Sequence, residues 1–74
     1  MPKDKTSKQL ELEIIKELTT LRKKEKITQK ELSNRSGVIR ETIARIETNT
    51  SSPKISTMIK LLKPLGYTLK IVRL

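Results

Sequence analysis

The chain has 74 residues, enough for one small domain with a modest core. It has no cysteine, no histidine and a single aromatic residue, Tyr67. That excludes a disulfide framework, a thiolate metal site, the commonest general base and a stacking platform for single strands. Lysine and arginine outnumber the acids 17 to 8, and a net charge of +9 draws a small folded chain toward a polyanion.

No apolar run approaches a membrane span and no signal-peptide pattern opens the chain, so a cytoplasmic protein with no membrane partner is expected. The acids are scattered beside Lys and Arg, so catalysis, a metal site and a cofactor are not expected. An RNA-binding reading lacks its usual signs, aromatic stacking residues or a GXXG clamp.

Residues 1–7 read as a frayed tail. Thr6 or Ser7 can cap a first helix that runs to about Glu25. Leu10, Ile14, Leu18 and Leu21 fall within one quarter of its wheel and are expected to face the core, with Ile15 widening the stripe. Leu12 points nearly the opposite way, as an exposed leucine or a partner contact. Arg22, Lys23, Lys24 and Lys26 place cations against the negative end of the helix dipole.

Thr28 followed by Glu31 forms a capping box, and Ile27 with Leu32 occupies the hydrophobic-staple positions. A helix therefore starts at Thr28. Ser36 and Gly37 interrupt it, with Gly37 suited to a left-handed C-terminal cap. Ile43 and Ile46 then give one apolar face of a second short helix, carrying Arg40, Glu41, Thr42 and Arg45. Two short helices joined by a glycine turn describe a helix-turn-helix over residues 29–47. A polar loop, TNTSSPK, leads to a helix starting between Lys54 and Ser56. Ile55, Ile59 and Leu62 share its stripe, with Met58 and Leu65 beside it, and Pro64 with Gly66 ends it. Residues 67–74, YTLKIVRL, have strand composition and no partner strand in their own chain. They are either a frayed end or a strand that pairs with a second chain.

The run from Gln29 to Glu47 resembles the phage-repressor-like, or XRE, family of regulators. The likeness rests on Gln29, Leu32, Ser33, Gly37, Val38, Ile43 and the ending Arg45-Ile46-Glu47. With Pro53 and LLKPLGY it covers roughly Leu10 to Gly66. Ile39 departs from the pattern, standing where a Ser or Thr usually caps the recognition helix. A strand in place of a fifth helix is similar to antitoxins of the HigA and HipB type, whose terminal strands pair across a dimer axis.

The resemblance implies an all-α fold: a small helix-turn-helix domain of about four helices over residues 8–66, with residues 67–74 as a β-strand that pairs between subunits. It implies a homodimer on palindromic double-stranded operator DNA. The recognition helix, about Arg40 to Thr48, would enter the major groove with Ile39, Arg40, Glu41, Thr42 and Arg45 at base edges. Gln29, Lys30, Asn49, Thr50 and Lys54 would meet phosphates, and the basic run ending the first helix lies near the DNA backbone. Tyr67, Leu69, Ile71 and Val72 would form the dimer strand. The subgroup likeness adds a cognate toxin, with a HigB-like messenger-RNA ribonuclease favoured, held on Glu11, Leu12 and Glu13. A chain this size is expected to hold no separate sensor, which leaves regulation to a protein partner. The alternative is a stand-alone repressor of phage or restriction–modification type.

Overall fold

The computed structural model describes residues 5–74. It contains four α-helices, α1 (Ser7–Lys24), α2 (Gln29–Ser36), α3 (Arg40–Glu47) and α4 (Ile55–Leu62), followed by a 3-10 turn at Lys63–Leu65. No strand occurs among the described residues, and residues 67–74 form neither helix nor strand. The expected frayed tail falls partly on residues 1–4, which lie outside the described residues, while Thr6 and Ser7 already belong to the start of α1.

Local chemistry sets the helix ends. Thr6 caps α1 through a reciprocal box in which its hydroxyl accepts from the Gln9 amide and the Gln9 side chain accepts from the Thr6 amide. Thr28 and Glu31 repeat the device at α2, at 3.0 and 2.9 Å. Ile27 and Leu32 are both buried beside it, as a hydrophobic staple requires. Gly37 closes α2 at φ +78°, a left-handed conformation in which a side chain would be strained. Its amide bonds back to the Ser33 carbonyl. Three other closures share one pattern, with paired bonds that satisfy the last carbonyls of a helix. These are Ile27 to Arg22 with Lys26 to Lys23, Thr50 to Arg45 with Asn49 to Ile46, and Tyr67 to Leu62 with Gly66 to Lys63. Lys26 and Asn49 take the left-handed position themselves, at φ 58° and 62°. Pro64 turns the end of α4 into the 3-10 segment.

α3 packs against α1 and α2, and α2 packs against α4 and the 3-10 turn. Ile15, Leu18, Ile27, Leu32, Val38, Ile43, Ile46, Met58, Leu61, Leu62 and Leu65 form one core, with Leu21 and Leu69 packed on its edge. Two faces differ from expectation. On α1 the buried line is Ile15, Leu18 and Arg22, whereas Ile14 is 41% exposed and Leu10 and Leu21 are only half-buried. The apolar wheel missed this because one core position, Arg22, is charged and is tied down by an ion pair. On α4, Met58, Leu61 and Leu62 are buried, while Ile55 is 72% exposed and Ile59 also reaches solvent. The buried face is therefore rotated from the stripe that Ile55 and Ile59 would define. Leu12 is half-buried, beside Ile15, Thr19, Glu47 and Asn49, instead of projecting alone into water.

Candidate nucleic-acid interface

Two helices, α1 and α2, hold the recognition helix through one polar knot. Arg22 of α1 donates from Nε and Nη2 to the two carboxylate oxygens of Glu47, the last residue of α3, each at 2.8 Å. Its Nη1 donates to the Ile27 carbonyl at 2.8 Å, fixing the segment between α1 and α2. Gln29, the first residue of α2, donates from Nε2 to Glu47 Oε1 at 2.9 Å. Arg22 therefore serves as a strut, and its charge is not free for phosphate. The Gln29 side-chain amide is likewise engaged and the Glu31 backbone amide is taken by the Thr28 hydroxyl, which leaves the Gln29 and Lys30 backbone amides to offer an anion. Lys23, Lys24 and Lys26 are the exposed remainder of that basic run.

The other face of α3 is open. Ile43 and Ile46 are fully buried, whereas Arg40, Glu41 and Arg45 are exposed and Thr42 is half-buried. Glu41 and Arg45 lie one helical turn apart on the outward side. No ion pair holds Arg40 or Arg45 among the described residues, so both guanidinium forks are available. Ile39 precedes the helix with φ −59° and ψ 137°, makes no side-chain cap bond, and is 66% exposed.

The loop after α3 folds back on the helix it leaves. Thr48 Oγ1 donates to the Ala44 carbonyl at 2.9 Å and lies 2.9 Å from Thr50 Oγ1. Asn49, Thr50 and Lys54 are exposed, as is Lys30 at the opening of α2. Base-reading and phosphate candidates thus sit on three adjoining pieces, the start of α2, the outer face of α3 and the α3–α4 loop. The geometry can present arginine forks to guanine edges with lysines beside them for phosphates.

The residues expected at a protein partner are not brought together. Glu11 lines a groove between α1 and α4, Leu12 turns toward α3, and Glu13 is exposed and ion-paired to Lys5. Successive side chains on a helix project about 100° apart, so three neighbours cannot share a face. Tyr67, Ile71 and Val72 are exposed, and Leu69 packs on the core.

An exposed, cation-bearing second helix seated on a buried apolar face is the arrangement of a helix-turn-helix domain of DNA-binding type. The helix-turn-helix family pattern matches residues 18–72, and the chain belongs to that family, in its XRE-type form. It is 49% identical over 65 residues to an uncharacterized HTH-type transcriptional regulator of Haemophilus influenzae, a match that takes in 88% of this chain and 66% of the relative. The chain thus spans just under two thirds of that relative's length. A solved toxin–antitoxin module from Streptococcus pneumoniae superposes with a TM-score of 0.74 at 40% identity, covering 90% of this chain and 74% of that one. No helix among the described residues is long and apolar enough to cross a membrane.

Proposed function

We propose that this protein is a sequence-specific DNA-binding antitoxin that neutralises a cognate toxin and represses its own operon. The observation that carries this reading is the likeness to the Streptococcus pneumoniae toxin–antitoxin module, which extends over 90% of the chain. The likeness therefore extends past the helix-turn-helix into residues outside residues 29–47. The exposed arginines of α3 supply the DNA-reading half of the function, with Ile39, Glu41 and Thr42 beside them.

In this reading two copies bind a palindromic operator, with half-sites about one helical turn apart. Residues 67–74 join the copies as paired strands. Leu69 fixes each strand to its own core, which an otherwise marginal two-stranded ribbon needs. The toxin is a HigB-like ribonuclease acting on messenger RNA. It meets α1 on its outward side, where Glu13, Lys16 and Glu17 line a shallow depression, and a basic partner would compete with Lys5 for Glu13 and pair with Glu17. That side is separate from the outer face of α3, so toxin binding can adjust DNA affinity through a coupling between two sites.

The test is co-expression with the product of the adjacent gene. The expected result is relief of growth arrest, co-purification of the two proteins, and operator binding that changes when the toxin is added. Full neutralisation by a chain carrying Glu13→Lys and Glu17→Lys moves the toxin surface elsewhere. A neighbouring gene without toxicity favours a stand-alone repressor. The Haemophilus influenzae relative, an uncharacterized HTH-type transcriptional regulator, is compatible with that second reading.

A further inference from the structure

A groove of about 310 Å³ runs between the first half of α1 and the start of α4, with Leu10, Ile14, Ile55, Met58, Leu69 and Glu11 on its walls. Ile14 and Ile55 remain exposed in it, so the chain's own core does not fill it. One oxygen of the Glu11 carboxylate, Oε2, is shut away from solvent with no hydrogen-bond partner among the described residues. The Glu11 side chain as a whole is 31% exposed, but an oxygen shut off from both water and donors is still costly. The only cation near this carboxyl among the described ion pairs is Lys8, 3.8 Å from its other oxygen.

The same chain carries the complementary shape. After Leu69 the segment leaves the groove, and Ile71, Val72 and Leu74 stand in solvent with Lys70 and Arg73 between them. Side chains alternate along a strand, so Leu69, Ile71 and Arg73 would share one face once the segment pairs as a strand. If the segment is extended from a seated Leu69, Ile71 and Arg73 would project to the same side as Leu69, about 7 and 13 Å farther on at roughly 3.3 Å per residue. Of residues 69–74 only Leu69 lines its own chain's groove, and residues 70–74 continue outside it.

We propose that the Leu10–Ile14–Ile55 groove is the dock for residues 71–73 of a second copy, with Ile71 against Ile14 and Ile55 and Arg73 paired to Glu11. The exchange is reciprocal, so it closes a two-fold dimer and leaves no open end. It rests on the reading of residues 67–74 as the dimer segment and adds the surface that receives it. The Arg73–Glu11 pair fixes the register, because a shift of one residue turns Ile71 and Arg73 to the outer face.

Sedimentation equilibrium of the full chain decides this, with far-ultraviolet circular dichroism confirming that each variant folds. Ile14→Asp, Glu11→Lys and Arg73→Glu should each raise the dimer dissociation constant by roughly tenfold or more. Combining Glu11→Lys with Arg73→Glu should restore most of the lost association, which a merely structural role for either residue would not do. A double variant that is weaker than either single variant overturns the pairing. A chain lacking residues 67–74 separates the two levels. If it is monomeric while Ile14→Asp and Glu11→Lys dimerise normally, the groove assignment fails and the dimer segment survives. If the shortened chain still dimerises, both fail. An Ile14→Asp chain that dimerises but loses the co-expressed toxin gives the groove to the toxin and overturns the proposal.

Discussion

The guanidinium of Arg22 closes on the carboxylate of Glu47 through two parallel bonds of 2.8 Å, across 25 residues of sequence. The two side chains are 9% and 6% exposed. Such a fork fits arginine and not lysine, whose donors all sit on one nitrogen and cannot make two parallel bonds. Because Glu47 ends α3, the pair ties the recognition helix to α1, while Gln29 adds a bond from α2.

Removing either member strands a buried charge. Arg22→Met or Glu47→Leu should cost about 3–5 kcal/mol of unfolding free energy. The double replacement should cost less than either single one, since no uncompensated charge remains. Gln29→Ala should cost only about 1 kcal/mol, the usual net value of one hydrogen bond. Urea titration of the four variants measures the series. Equal costs for Arg22→Met and Gln29→Ala would show that the ion pair adds nothing.

Base reading and phosphate binding should separate by mutation. Arg40→Ala or Arg45→Ala should weaken operator binding by about 1–3 kcal/mol and relax preference at one position in each half-site. Lys54→Ala should weaken binding to every sequence alike and lower the salt slope by about 1. Gel-shift titrations on a panel of substituted operators at several salt concentrations distinguish the two patterns. Arginine variants that keep the wild-type preference would remove Arg40 and Arg45 from the base contacts.

The helix-turn-helix was legible because its signals are local. Thr28, Glu31, Ile27, Leu32 and Gly37 act on neighbours within one or two turns, and all five occupy the expected positions. The orientations of α1 and α4 were not legible in the same way. They depend on which side α2 and α3 cover, and apolar side chains surround much of both helices. The signal for α1 was present but charged: Arg22 lies four residues after Leu18 and seven after Ile15, on the buried line. Reading it required Glu47, which is near only after folding. The surfaces for a second copy and for a toxin belong to complexes, and the single chain only hints at them through exposed apolar residues such as Ile14, Ile55, Ile71 and Val72 and the unmatched Glu11 oxygen.

The α2 capping box should leave a signature in acid. The Thr28 backbone amide bonded to Glu31 is the main reason its carboxyl sits below the ordinary glutamate range, aided by the Thr28 hydroxyl bond and by Arg35 and opposed by desolvation. A depressed folded-state pKa means that the ionised carboxylate stabilises the fold above the unfolded-state pKa. That contribution disappears as pH falls through the lower, folded value. Glu31→Gln keeps an acceptor for the Thr28 amide, as Gln9 does for Thr6, but carries no charge. Thermal melts from neutral pH downward should show the wild type losing stability relative to Glu31→Gln in the acid range. Parallel curves across that range would exclude Glu31 as a source of the pH dependence.

Ile39 sets stability against recognition. Thr6 and Thr28 cap their helices with hydroxyl bonds to the third residue, whereas Ile39 precedes α3 with no such bond. Its φ of −59° and ψ of 137° resemble the extended backbone of the other two caps, so a serine there can accept from the first-turn amides. Ile39→Ser should therefore stabilise the protein, by about 0.5–1 kcal/mol, even though it removes a large apolar side chain. An isoleucine left 66% exposed gains little from burial in the free protein. An isoleucine at this position makes sense if the side chain is buried on DNA, against a thymine methyl at the groove floor. The same substitution should then weaken binding and erase a preference for thymine at one position per half-site. Thermal melts and a thymine-to-uracil series of operators, which removes only the methyl group, measure the two effects. A serine variant that is more stable and still discriminates thymine from uracil would place Ile39 outside the base contacts.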